Sequence, residues 1–148
     1  REETQGVLNR AARRLREYLG ELALVTNPTV NSYRRLAAMS CDEKKPDMLV
    51  EGTEEGIRFH MADPSANVYL ALAAVLAAGF SEQPEAGQEA LLPSSLSEAA
   101  ALFLQSAGMR HLMGDRLFSF YHDRKTEEWE RFSSWVTDWE VKEYLSKY

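Results

Sequence analysis

Asp63-Pro64-Ser65-Ala66-Asn67-Val68-Tyr69-Leu70-Ala71-Leu72-Ala73-Ala74-Val75-Leu76-Ala77-Ala78-Gly79-Phe80 is the stretch whose reading decides the fold. From Val68 to Ala78 it is apolar on every face, and a helix without a polar face has to be covered on all sides. The run falls short of the roughly 20 residues needed to cross a bilayer, so it reads as a central buried helix rather than a membrane span. Asp63 is expected to cap it and Pro64 to occupy its first turn, where the missing N–H would have had no partner. Gly79 suits a left-handed close.

The whole chain sets the frame around that helix. At 148 residues, 45% hydrophobic and 27% charged, residues 1–148 are expected to form one globular domain. A net charge of −6 argues against a broad nucleic-acid footprint, which needs a basic face. The single cysteine, Cys41, cannot form an internal disulfide and suits a reducing cytoplasm. No initiator methionine or signal-like apolar region opens the chain at Arg1, so a fragment is expected.

In chain order, Val7, Leu8, Ala11, Ala12, Leu15, Tyr18, Leu19 and Leu22 recur at helical spacing. Arg10, Arg13, Arg14, Arg16 and Glu17 fill the other face, expected to be solvated. Asn27 to Leu36 reads as a polar turn that Pro28 keeps from continuing the helix. Met48-Leu49-Val50, a turn over 51–56, and Ile57 to Met61 with apolar side chains alternating against Arg58 and His60 predict a β-hairpin. Ser81 to Pro93 reads as a loop. Ser95 with Glu98 predicts a capping box, Gly108 the end of that helix, and Gly114 a stop before a long helix capped by Asp115. Leu117, Phe120, Tyr121, Trp129, Phe132 and Val136 are expected on its core side, and Thr137 with Glu140 starts a last helix. The fold class is therefore α+β, predominantly helical, with one short antiparallel hairpin.

NPTVNSYRRL at 27–36 followed by DPSANVYLALAAVLAAGF strongly resembles the C-terminal catalytic region of glutamine synthetases. LPSSL at 92–96 and the closing EW…VTDWEVKEYLSKY extend the likeness over nearly the whole chain. The resemblance is to the later part of the family only, whose complete members carry a preceding β-grasp domain and the first half of the catalytic domain. It implies an ATP-dependent ligase using Mg²⁺ or Mn²⁺ to make γ-glutamyl phosphate, which ammonia or an amine then attacks. It also implies Arg35 as a ligand of the substrate glutamate, with Asn27 and Asn31 shaping the loop. A planar guanidinium can grip a carboxylate with two parallel hydrogen bonds, although on its own residues Arg35 reads rather as a surface arginine after a turn.

Other positions depart from the family pattern. Ala37 to Asp47, AAMSCDEKKPD, stands where active members carry a VPGYEAPV-like stretch and a strand bearing RNRSA, whose arginines contact nucleotide phosphates. Counting back from Asp63 places Gly56, Arg58 and His60 at the first arginine, the metal-binding glutamate and the last arginine of R-I-E-F-R. Arg58 has no lone pair for a cation, and His60 lacks the bidentate fork. Three readings follow: a ligase fragment, a non-catalytic relative serving assembly or regulation, and an unrelated helical interaction protein. For this chain alone no cofactor is expected. Expected partners are a second copy or a glutamine synthetase-type subunit, not nucleic acid or membrane, and apolar faces that pack on the missing half are expected to stand exposed.

Overall fold

The computed structural model describes residues 2–39, 41–81, 91–145 and 147. Helix α1 (Glu2–Glu17) buries Ala11, Ala12 and Leu15 along one face, turns at Tyr18, and continues as α2 (Leu19–Thr26). All of α2 except Glu21 is buried, so this eight-residue helix, not the Asp63–Phe80 stretch, is the centre of the molecule. Glu21 meets the structure's demand for a partner by accepting the Ser106 hydroxyl. The arginine face of α1 is not wholly solvated either. Arg16 donates twice to the Val50 carbonyl, at 2.9 and 3.0 Å, and pairs with Asp47 at 3.0 Å.

The predicted central helix forms α5 (Val68–Gly79), with two corrections to its ends. Asn67 caps it, accepting from the Tyr69 and Leu70 amides, while Asp63 and Pro64 lie in the preceding turn. Gly79 stays right-handed; its use is close approach, since a Cβ there would sit 3.4 Å from Leu15 Cγ. The larger correction concerns cover. Helix α5 buries its small residues Ala71, Ala74 and Ala78 against α1, α2 and α7 (Ala107–Ser133), and leaves Val68, Tyr69, Leu72, Leu76 and Phe80 exposed. Small residues let helix axes come close, so the alanine face packs inward and the bulky face is left outside.

Between these helices, part of the predicted turn over 27–36 is itself helical: α3 (Val30–Ala38) starts at a reciprocal cap in which Thr29 and Ser32 exchange hydrogen bonds. Met48 and Leu49 belong to a short helix, α4 (Pro46–Leu49), rather than to a strand. The hairpin itself forms as expected from β1 (Val50–Gly52) and β2 (Ile57–Phe59), antiparallel, with Glu51 opposite Arg58. The predicted loop over 81–93 lies mostly outside the described residues, which resume at Leu91.

Helix α6 (Leu96–Gln105) begins at Ser95, whose hydroxyl accepts the Glu98 amide. The returning Glu98 carboxylate accepts from Ser94, which lowers its pKa. The helix ends at Ser106 rather than at Gly108, because the Ser106 hydroxyl accepts the Met109 amide and starts α7. Gly114, at φ 71°, breaks α7 as expected, and Arg110 donates to the Asp115 carboxylate across the break. Beyond it the core residue is Phe118, stacked on Phe103 at 4.5 Å between ring centroids. Tyr121 and Trp129 are half-buried beside it, whereas Leu117, Phe120, Phe132 and Val136 face outward, a one-residue phase error in the predicted stripe. Thr137 and Glu140 form the expected capping box at the start of α8 (Asp138–Leu145).

This core has a measurable boundary. Phe103→Ala, at a wholly buried site, is expected to lower the unfolding free energy by about 3–5 kcal/mol in urea titrations. Leu72→Ala, at 56% exposure, is expected to change it by about 0.5 kcal/mol or less in the isolated chain. Equal losses at the two positions would contradict the packing described.

Candidate functional site

The polar end of α2 meets the exit of β2, and the candidate site is built there. Thr26 and Asn27 are both fully buried, so their polar atoms need partners within the chain. Thr26 donates its hydroxyl to the Leu22 carbonyl and, at 2.8 Å, to Asn27 Oδ1, and its own carbonyl accepts the Asp63 amide at 2.8 Å. Asn27 Nδ2 donates to the Met61 carbonyl at 2.9 Å. That same carbonyl accepts Arg35 Nη2 at 2.7 Å, while Arg35 Nε pairs with Asp63 Oδ2 at 3.4 Å. Asn27 and Arg35, distant from Met61 in sequence, thus converge on one backbone oxygen.

Asp63 completes the arrangement. Its Oδ1 accepts both the amide and the hydroxyl of Ser65, at 2.9 and 2.6 Å. Burial works to raise its pKa, but the Ser65 hydrogen bonds, a further one from Ser32 and the charge of Arg35 outweigh it and hold the carboxyl below its ordinary range. Asp63 does not serve as the helix cap that the sequence predicts. The Asp-Pro-Ser order at 63–65 carries the better signal, since an aspartate readily accepts from the residue two places on. Nothing local in the sequence points to the Met61 carbonyl.

The remaining predicted positions fall elsewhere. Asn31 is exposed on the first turn of α3. Gly56 closes the hairpin turn, its amide donating to Thr53 Oγ1 and its carbonyl accepting the Thr53 amide. Arg58 and His60 are brought together by a residue that sequence reasoning did not single out, Glu51, whose Oε2 lies 3.7 Å from Arg58 Nη1 and 3.6 Å from His60 Nε2. All three are exposed on the same side of the hairpin. A divalent cation needs oxygen ligands, whereas Arg58, which the family resemblance sets in place of a metal-binding glutamate, is a cation facing Glu51. The residues present on β2 do not fit a metal ion. Among the described residues no three His, Cys, Asp or Glu side chains are grouped to hold one.

A separate cavity of about 470 Å³ opens between the α1–α2 junction, α5 and α7, lined by Tyr18, Glu21, Ala78, Met109, His111 and Leu112. It shares none of these side chains with the Arg35–Asp63 site.

Fold and site together define an α+β, predominantly helical unit with one antiparallel hairpin tied to its central helix by buried polar bonds. The family model described as "Glutamine synthetase, catalytic domain" matches residues 11–82 and 80–144, and the chain belongs to that family. It is 31% identical to the glutamine synthetase of Thermotoga maritima, over 84% of this chain and 36% of that protein. The glutamine synthetase of Clostridium saccharobutylicum is 32% identical, over 86% of this chain and 36% of its own length. The solved structure of GmaS without ligand superposes with a TM-score of 0.76 and 25% identity, covering 94% of this chain and 38% of GmaS. The GmaS/ADP complex gives a TM-score of 0.72 at 23% identity, a likeness of fold. The chain therefore spans a little over a third of the length of the curated relatives it matches. The Thermotoga alignment runs over 157 positions although only 84% of this 148-residue chain enters it, so that relative carries residues within the matched region that this chain lacks.

The Arg35–Asp63 pair has a pH signature. Because Asp63 titrates lower in the folded chain than the unfolded value of about 4, its contribution is complete above that value and is lost as the pH falls through the folded pKa. Urea midpoints of the parent and Asp63→Asn chains are expected to differ most near about pH 7 and to draw together as the pH falls below the unfolded value of about 4. A gap that does not change with pH would remove the charge from the account.

Proposed function

We propose that this chain is a non-catalytic glutamine synthetase-type unit that serves assembly or regulation of a glutamine synthetase-type ligase. The observation that carries this reading is the guanidinium of Arg58 on β2, facing Glu51, where the family resemblance assigns a metal-binding glutamate. Transfer of a phosphoryl group needs cations that neutralise the developing charge, and a fixed positive side chain in their place reverses the local field. Arg35, the position matching a glutamate-binding arginine, supports the same reading, because two of its nitrogens are engaged by Met61 and Asp63. The segment 37–47 contributes neither the VPGYEAPV-like stretch nor RNRSA.

On this reading the chain keeps the helical scaffold of the family, and catalytic groups come from a partner subunit of the same family. The lone exposed Cys41 suits a reducing compartment such as the cytoplasm. Family membership would otherwise favour ligation of glutamate with ammonia or an amine at the expense of ATP.

The test is direct. The 148-residue chain, supplied with glutamate, ammonium, ATP and Mg²⁺, is expected to form no glutamine or ADP above the protein-free rate. Arg58→Glu alone is expected to remain inactive, since one carboxylate does not restore the arginines. Turnover by either protein would overturn the non-catalytic reading.

A further inference from the structure

The cavity of about 470 Å³ between the α1–α2 junction, α5 and α7 takes no part in the chemistry described above. Protein interiors pack closely enough that a void much larger than a water molecule is uncommon, and a hollow of about 300–1,000 Å³ is the size that small organic ligands occupy. Its walls are apolar where α5 and α7 supply them: Ala78 and Met109 are buried, and Leu112 stands three positions beyond Met109 along α7. Opposite them are Tyr18, which precedes α2, and Glu21 in the first turn of α2.

Glu21 is the unusual group. It is the one residue of α2 that is not buried, and its carboxylate is held in place. Its Oε2 accepts the hydroxyl of Ser106, which is itself buried and accepts the Met109 amide. A carboxylate can accept about four hydrogen bonds, and Ser106 supplies one. Among the described residues no cationic side chain pairs with Glu21, although His111 lines the same cavity. A carboxylate fixed beside apolar walls with no cation is half of an ion pair.

We infer that this cavity is a binding site for a small primary amine carrying an apolar ring. An ammonium group donates charge-assisted hydrogen bonds to a carboxylate, and the Tyr18 ring offers it a cation–π contact. The Met109 thioether favours an aromatic body over a purely aliphatic one. Anions are disfavoured by Glu21 itself and by the net charge of −6, and a ligand without a donor leaves the carboxylate unmet. The inference stands on the cavity and does not depend on whether the chain is catalytic.

Phenethylamine is the probe, titrated into the 148-residue chain near neutral pH by isothermal titration calorimetry, with 2-phenylethanol and 3-phenylpropionate as neutral and anionic counterparts of similar size. Saturable one-to-one binding of the amine is expected, at least about tenfold tighter than either counterpart. Glu21→Gln keeps an acceptor for Ser106 and removes the charge, so the amine is expected to weaken about tenfold, to the level of the alcohol, while the alcohol is unchanged. Gly108→Leu is expected to fill the cavity and abolish binding of both, without backbone conflict, since a Cβ there meets nothing nearer than Ser106 Oγ at 3.8 Å. Ala77→Leu, at a half-buried wall position of α5, is a second filling variant with the same expected result. Far-UV circular dichroism of the variants is expected to match the parent. The inference is overturned if the parent shows no saturable binding, if amine and alcohol bind alike, or if the preference for the amine survives Glu21→Gln. Amine binding that persists in both filled variants would place it on surface carboxylates and overturn the inference equally.

Discussion

Burial of Thr26 and Asn27 is the constraint on which the arrangement depends. An amide side chain with no access to water costs a few kcal/mol unless its donor and acceptor are met, and at this depth only the chain can meet them. Asn27 therefore takes the Met61 carbonyl, Thr26 takes the Asp63 amide, and the exit of β2 is drawn onto the end of α2. Arg35 then has a carbonyl and a carboxylate within reach, and α3 is held on the same point. On the opposite flank Lys125 donates to the Pro28 carbonyl at 2.6 Å and Tyr121 to the Leu24 carbonyl at 3.0 Å, so α7 closes over the same helix end. One buried polar junction thus positions four elements.

The functional reading follows from charge at a single strand. β2 alternates as an ordinary half-covered strand, with Ile57 and Phe59 toward the core and Arg58 and His60 toward solvent. What an outward side chain on that strand can do depends on its chemistry, and a guanidinium beside Glu51 forms an exposed ion pair of small energetic weight. It offers no oxygen to a cation. The scaffold of the family is kept, and a fold by itself does not fix an activity.

Open surfaces describe the rest of the molecule. Besides the α5 face, Trp135, Val136, Trp139 and Leu145 around α8 are strongly exposed, an unusual concentration of large apolar side chains on one part of a surface. The buried centre, by contrast, is complete: α2, α6 and α7 interlock through Phe103 and Phe118 with no helix of the described chain long and apolar enough to cross a membrane.

Much of the fold was legible in local signals. Helical periodicity at 7–22, the serine and threonine caps at 95 and 137, the glycine break at 114 and the period-two alternation at 57–61 each depend on a few neighbouring residues, and the elements stand there, although the first helix breaks at Tyr18 and the strand stops at Phe59. The family, too, was legible, because two long motifs stand in order. The candidate site was legible only as residue identities: Asn27 and Arg35 were recognisable, but their meeting at the Met61 carbonyl joins positions 34 and 26 residues apart and leaves no local trace. The sequence by itself determined most of the elements, the caps at 95 and 137, and the family. Tertiary structure alone decided that α2 rather than α5 is wholly buried, that Phe118 rather than Leu117 faces the core, and that Asp63 meets an arginine. Periodicity reports which faces are apolar, whereas burial and pairing depend on what other part of the chain is there to cover them.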